Sequence, residues 1–151
     1  MPVAQELIPD DTEVRRLVDY PRMDNRNELL WPNVFEFPNG QGESVIWSKY
    51  APTPADVHQI GCDREVAKRE IKPEMRYSGF IPAIVAAIRG IQTNRGHGFN
   101  VIHEPAEGDY HAEISYRPAA QVDLRKADKA ELKFALKEVF GPLAQHSCAG
   151  I

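Results

Sequence analysis

The feature that most constrains the fold is an apolar stretch from Gly79 to Thr93, in which Arg89 is the only charged residue. Its apolar residues cover nearly the whole circumference of a helix, and a helix that is apolar all round is normally buried in a core. Pro82 is compatible with the first helical turn, where its missing N–H has no intrahelical partner. The stretch is shorter than the roughly 20 residues that a bilayer-crossing helix needs. We therefore expect a buried apolar helix near residues 79–93.

Strand patterns occur in two other parts of the chain. Residues 29–37 and 44–50 are rich in aromatic and branched side chains, which suit a pleated and half-buried surface. Residues 38–42 between them contain two glycines, which permit a tight connection. Residues 99–103 and 110–117 show a similar alternation around a second glycine-containing loop. Each pair predicts an antiparallel β-hairpin, and we expect both hairpins in one sheet.

Three further helices are expected from capping signals. Residues 10–20 begin with an acidic capping pair and carry an apolar stripe at helical spacing. Residues 53–72 begin with Thr-Pro, a capping residue followed by a favoured first-turn residue, and Gly61 leaves open whether this helix breaks in two. Residues 128–140 have a capping box and end before Gly-Pro. Hairpins that alternate with helices predict an α+β fold with helices packed against the sheet.

Length and composition indicate one domain over residues 1–151, with a flexible tail from about residue 143. The chain is 42% hydrophobic and 26% charged, as is usual for globular proteins. Its net charge of −4 argues against nucleic acid as a partner. The sequence shows no signal-peptide pattern and no apolar run of membrane-spanning length, so we expect a cytoplasmic protein that does not enter a membrane.

The two cysteines, Cys62 and Cys148, lie far apart in the sequence. In a reducing compartment we expect both to be free thiols. His58 precedes Cys62 by four residues and would share its helical face. A catalytic Cys–His pair also needs an orienting group and an oxyanion hole, and the sequence shows neither. A buried Cys62 that acts as a small apolar residue is the favoured interpretation.

The densest group of reactive side chains lies between Arg95 and Glu113. His111 and Glu113 project from the same strand face and could bind one divalent metal ion, with His103 across the hairpin as a third ligand. An open fourth position would suit a metal-activated water and hydrolysis. The register of the hairpin decides whether the three side chains meet. We favour the alternative that they are ordinary polar strand residues, because their spacing matches no known ligand motif.

A second candidate site uses the net positive segment from residue 64 to residue 95. Arg89, Arg95 and His97, with the glycines on both sides of His97, could bind an anion or a nucleic acid. However, residues 64–74 interleave both signs of charge in the manner of a solvated helix. The glycines also lack the strand–loop–helix context of a phosphate site.

Tyrosine and tryptophan offer a third class of function, because both are enriched at protein-binding surfaces. Six such residues are not all readily placed in one small core: Trp31, Trp47, Tyr50, Tyr77, Tyr110 and Tyr116. The favoured function is a non-enzymatic accessory or protein-interaction domain. A metal-dependent hydrolase at His103, His111 and Glu113 is the first alternative, and an anion or nucleic-acid binder at Arg89 and Arg95 is the second.

Overall fold

The computed structural model of the chain describes residues 3–19, 29, 34–38, 41–119 and 123–148. Six strands lie within these ranges: β1 Glu13–Asp19, β2 Glu43–Trp47, β3 Tyr77–Ile84, β4 Gly98–His103, β5 His111–Arg117 and β6 Ala144–Gln145. Three α-helices accompany them: α1 Pro54–Arg69, α2 Val85–Arg89 and α3 Lys126–Val139. The strands form one antiparallel sheet in the order β4-β5-β2-β1-β3-β6. The protein therefore has the expected α+β fold.

The apolar stretch near residues 79–93 is mostly a strand. Its helical part is limited to Val85–Arg89, and the residues before it form β3, which pairs with β1. Both faces of β3 are buried, because Ile81 packs in the main core while Phe80 packs in a second cluster beneath α1. A strand covered on both faces is apolar at nearly every position, so its pattern resembles that of a fully buried helix.

The helix expected over residues 10–20 is a strand for the same reason. β1 lies between β2 and β3, with Val14 and Val18 in the main core and Leu17 in the second cluster. The prediction of a helix over residues 10–20 is therefore wrong. The spacing of these three apolar residues suits a helix, but it suits equally well a strand that is buried on both faces.

The first predicted hairpin, between residues 29–37 and 44–50, is not formed. β2 confirms a strand in the second of these segments, but it pairs with β1 and β5. Within the first segment, residues 34–37 are not a strand, and residues 30–33 lie outside the described residues. The second predicted hairpin is confirmed, because β4 pairs with β5 in a continuous antiparallel register.

Two helix predictions agree well with the structure. The Thr53 hydroxyl accepts from the Asp56 backbone N–H at 3.1 Å, and the Asp56 carboxylate accepts from the Thr53 N–H at 3.0 Å, so α1 begins with a complete capping box. α1 continues through Gly61 without a break. α3 begins two residues before Asp128, so the helix start expected at Asp128 is wrong by three residues: Arg125 is the N-cap, and the Asp128 carboxylate accepts from its backbone N–H at 3.0 Å.

The two faces of the sheet are covered differently. On the first face, β-strand residues pack against α2, α3 and residues 34–37, and this main core holds Trp47, Phe99 and Leu132. On the second face, α1 packs over the β3 side of the sheet, and the second cluster lies between them. The outer half of the second face, on β2, β5 and β4, carries partly exposed residues such as Ser44, His111 and Glu113.

The C-terminal segment, expected to be flexible from about residue 143, adds β6 to the sheet beside Gly79 and Phe80. The backbone N–H of His146 then donates to the Ser78 carbonyl at 3.0 Å. Among the helices of the described ranges, none combines the length and the apolar character needed to cross a membrane.

Candidate functional site

A cleft of about 220 Å³ opens on the second face of the sheet. Its floor comes from strand residues, one wall from Ile60 and Arg64 on α1, and the opposite wall from Glu107 and Tyr110 in the β4–β5 connection. We call it the sheet-face cleft and define it by the side chains of Leu17, Ser44, Ile46, Ile60, Arg64, Glu107, Tyr110 and His111. Apolar and polar groups therefore face the same space.

A serine and a histidine are hydrogen-bonded within this cleft. His111 Nε2 lies 3.0 Å from Ser44 Oγ, and its Nδ1 lies 3.2 Å from the backbone carbonyl oxygen of Glu104. A carbonyl only accepts, so Nδ1–H donates to Glu104 and Nε2 is left to accept from the Ser44 hydroxyl. This is the arrangement of a nucleophile, a base and a group that orients the base.

The charges around the sheet-face cleft are unequal. Arg64 on the α1 wall lies 3.9 Å from the buried carboxylate of Asp19. Glu107 lines the opposite wall, and Glu113 pairs with Ser44 across β2 and β5 and therefore projects from the same face. Neither glutamate has an ion-pair partner among the described residues. The side of the cleft formed by β5 and its preceding loop is thus negatively charged.

The predicted metal ligands His103, His111 and Glu113 do not share one face. His111 and Glu113 lie together on the second face, as expected, but His103 pairs with Ala112 and projects into the core. Its Nδ1 accepts from the Glu6 N–H at 3.0 Å, and its Nε2 lies 2.8 Å from the Asp109 carbonyl oxygen. Both ring nitrogens of His103 are therefore occupied by backbone groups.

The predicted anion site is also divided. Arg89 donates to the carbonyls of Ile8 and Val101 and pairs with Asp10 at 2.7 Å. Arg95 Nε instead lies 3.5 Å from the Asp128 carboxylate, which is also 3.8 Å from His97 Nε2, so the structure brings Arg95 and His97 together and separates Arg89 from both.

The third predicted anion ligand, His97, is fully buried, and its Nδ1 accepts from the Ala119 N–H at 2.8 Å. Arg89 and Arg95 are thus each paired with a different carboxylate, and both contribute to the internal structure.

The aromatic residues have several different positions. Trp47 and Tyr77 are buried, whereas Tyr50, Tyr110 and Tyr116 are half-buried. Trp31 lies outside the described residues. Tyr110 is the aromatic residue that lines the sheet-face cleft.

The cysteines correct the expectation of two free thiols. Cys62 and Cys148 form a disulfide, with their Cα atoms 5.6 Å apart. The reason is that β6 follows the edge of the sheet beside β3 and returns the C-terminal segment to α1. Periodicity could not indicate this contact, because it joins residues that are separated by 86 positions.

Two histidines accompany the disulfide. The rings of His58 and His146 are stacked, with centroids 4.1 Å apart, and His58 Nδ1 lies 2.8 Å from the Tyr77 hydroxyl. The two histidines and the two cysteines face an open groove of about 480 Å³, which we call the cysteine groove. It is lined by Ala55, His58, Gln59, Cys62, Asp63, Val66, His146 and Cys148. The sequence signal was a histidine near each cysteine, at His58-x-x-x-Cys62 and His146-x-Cys148.

Burial changes the pKa of two groups at this groove. Burial, and to a smaller extent the charge of His146, lowers the pKa of His58. Burial raises the pKa of the Tyr77 hydroxyl. Both shifts favour the neutral forms near pH 7, in which one ring nitrogen or hydroxyl donates to the other.

The chain was compared with known proteins at the level of families, sequences and structures. No protein-family model, no curated protein and no solved structure matches it. Its function is therefore inferred from the sheet-face cleft and the cysteine groove.

Proposed function

We propose that the protein is a non-enzymatic interaction domain, and that the sheet-face cleft receives a lysine or arginine side chain of a partner protein. The observation that carries this proposal is the Glu107 carboxylate on the wall of an open cleft, together with Glu113, which is paired with the cleft residue Ser44, on a sheet face that α1 covers only in part. Tyr110 and Ile46 add apolar surface against which the stem of a long basic side chain could pack.

The sheet edges support docking at the face rather than strand addition. Along β4, the Gln5 side chain donates to the His103 carbonyl at 2.9 Å and Arg89 donates to the Val101 carbonyl at 3.0 Å. At the other edge, β6 has two residues, and the Gly141 N–H donates to the Pro82 carbonyl at 2.7 Å. Occupied and short edges discourage pairing with another strand.

Charge supports the choice of a basic partner. Arg64 is close to Asp19 at 3.9 Å, whereas the two glutamates lack such a partner within the described ranges. The chain as a whole carries a net charge of −4. A negative surface accelerates association with a positive partner, and the effect weakens as salt is added.

Short peptides that differ at one central position test this proposal. We expect a peptide with arginine or lysine at this position to shift the amide NMR signals of Ser44 and Tyr110. A peptide with glutamate at this position should leave these signals unchanged. Binding should weaken with salt and be lost in Glu107→Lys/Glu113→Lys. Glu131→Lys, an exposed charge reversal on α3, is the matched control. The proposal would be overturned if Glu107→Lys/Glu113→Lys bound the basic peptide as well as the Glu131→Lys control does. It would also be overturned if the unmodified protein bound acidic and basic peptides equally.

The Ser44–His111 hydrogen bond of 3.0 Å favours one second candidate, an acyl-transferring hydrolase. In this reaction the Ser44 hydroxyl would attack an ester carbonyl while His111 takes its proton and passes it to the leaving alcohol. Water would then hydrolyse the acyl-serine by the same route. The sequence offered a metal-dependent hydrolase at His103, His111 and Glu113 as an alternative function. The present candidate retains His111 as a reactive group and needs no metal ligand at His103.

An activated acetate ester distinguishes this candidate from pure binding. A hydrolase should release the alcohol in a burst, acquire an acetyl group on Ser44 that mass spectrometry detects, and lose both properties in Ser44→Ala. Turnover that is the same in Ser44→Ala and the unmodified protein, without an acyl adduct, would eliminate the candidate.

A further inference from the structure

We propose that the cysteine groove is a redox-controlled metal site. In the reduced protein, Cys62, Cys148 and His146 bind a divalent metal ion of the Zn²⁺ class, and oxidation of the two thiols to the disulfide releases it. This inference is independent of the proposed binding at the sheet-face cleft.

The ligand atoms are already gathered. One ligand atom from each of Cys62, His146 and Cys148 lies within 4.8 Å of the other two. Tetrahedral zinc with Zn–S bonds of about 2.3 Å separates two sulfur ligands by about 3.8 Å. The sulfur atoms therefore need only a small movement away from each other once the disulfide is broken. Two thiolates and one imidazole are a ligand set that zinc accepts with a fourth position open.

Three elements of the fold hold these ligands together. Cys62 lies on α1, and β6 places His146 and Cys148 beside it through pairing with β3. The hydrogen bond from the His146 N–H to the Ser78 carbonyl, at 3.0 Å, fixes the backbone at the histidine ligand. The fold therefore organises the site in advance, so that little additional chain ordering is needed when the metal binds.

The surroundings of the site suit a cation. Asp63 lines the groove and supplies a negative charge, while the groove gives an ion a path from solvent. His58 is the other titratable side chain of the groove besides the ligands and Asp63, and its hydrogen bond with Tyr77 fixes its ring beside His146.

The redox step balances as a thiol–disulfide exchange. A dithiol reductant of the thioredoxin class gives two electrons and two protons to the Cys62–Cys148 bond and leaves as its own disulfide. Metal binding then displaces the two thiol protons, because the thiolate is the ligand. In the reverse direction, a disulfide such as oxidised glutathione accepts the two electrons, the protein disulfide forms, and the metal ion is released.

The redox state of the compartment would set the state of the site. Disulfides persist in oxidising compartments, whereas thiols are kept reduced in the cytosol, where disulfides are usually transient or redox-sensing. Cys62 and Cys148 would thus connect α1 to the C-terminal segment in both conditions, through a covalent bond in one and through a metal ion in the other.

Titration with Co²⁺ and Zn²⁺ tests the proposal on the 151-residue chain without a histidine tag. After reduction under anaerobic conditions, we expect a single Co²⁺ ion per chain, with a thiolate-to-cobalt charge-transfer band and the visible bands of tetrahedral cobalt. Zn²⁺ should displace it. Oxidised glutathione should abolish both signals and return the disulfide, which mass spectrometry confirms.

Variants assign the ligands. His146→Asn should weaken Co²⁺ binding by more than about tenfold, because loss of even an outer-shell partner costs 10–100-fold. Cys148→Ser should remove at least half of the charge-transfer intensity, because one of the two thiolate ligands is lost. Ser147→Ala, between the two ligands, should bind as the unmodified protein does. Circular dichroism confirms that each variant is folded. If the reduced protein binds no more Co²⁺ than the oxidised protein, or if His146→Asn binds normally, the site does not exist as proposed.

Discussion

Cys62 on α1 and Cys148 beyond β6 are joined by a disulfide across 86 positions of sequence. The bond fixes the C-terminal segment against the second face of the sheet, where β6 contributes only two residues. Closing a loop of this length restricts the unfolded chain, which typically stabilises a protein by about 2–4 kcal/mol. We expect Cys62→Ser/Cys148→Ser to lower the free energy of unfolding by about this amount in urea titrations. An unchanged free energy of unfolding would mean that the segment is held without the bond.

A buried ion pair provides the second prediction. Arg16 Nη2 lies 2.7 Å from Glu43 Oε2 on the core face of the sheet, and Glu43 Oε1 accepts from the backbone N–H groups of Glu36 and Phe37, at 2.6 Å each. Phe37 has a positive φ of 47°, a conformation that non-glycine residues rarely adopt. Glu43 thus holds a strained segment against the core.

We expect Glu43→Gln to lower the free energy of unfolding by about 3 kcal/mol or more, because it removes the charge of a buried carboxylate that is paired with the buried Arg16 guanidinium. Glu113→Gln, on the other face of the same sheet and partly exposed, is the matched control, with an expected change below about 0.5 kcal/mol. Chemical denaturation of both variants gives the comparison. Equal effects of the two substitutions would contradict the role assigned to Glu43.

The packing of Tyr77 against α1 explains why this helix contains Gly61, a residue that is unfavourable in a helix interior. Alanine normally stabilises a helix interior by about 1 kcal/mol relative to glycine. Here a Cβ atom would overlap the ring of Tyr77, which is buried beneath α1. We expect Gly61→Ala to lower the melting temperature rather than raise it, and Gln59→Ala at an exposed position of the same helix to have little effect. A raised melting temperature for Gly61→Ala would show that the ring moves without cost.

The sequence predicted those elements whose signals are local. Thr53 and Pro54, an N-cap residue followed by a favoured first-turn residue, are adjacent in the sequence, and they correctly gave the start of α1. Alternation in residues 99–103 and 110–117 correctly gave the β4–β5 hairpin, because one face of it is buried and the other is partly exposed. β1 and β3 carry no such alternation, because each is covered on both faces, and their apolar patterns therefore indicated helices.

The candidate sites depended on contacts between distant parts of the chain. The shared face of His111 and Glu113 followed from their spacing, but the position of His103 depended on its pairing with Ala112. Ser44 and His111 are separated by 67 positions and meet because β2 lies beside β5. The order of strands, which the sequence pattern does not encode, therefore brought together the groups of the sheet-face cleft and, in the same way, those of the cysteine groove.

The lowered pKa of His58 makes stability depend on pH. Burial, and secondarily the charge of His146, lowers the pKa of His58 in the folded protein below its ordinary value of 6.5. Below about pH 6.5 the unfolded chain therefore binds a proton at this residue that the folded protein resists, so protonation favours unfolding. The free energy of unfolding should fall as the pH decreases below about 6.5. His58→Gln, which can still bond to Tyr77 but does not titrate, should make this decline shallower in urea titrations at several pH values, whereas Gln59→Ala should leave it unchanged. An identical slope in His58→Gln would show that His58 titrates alike in both states.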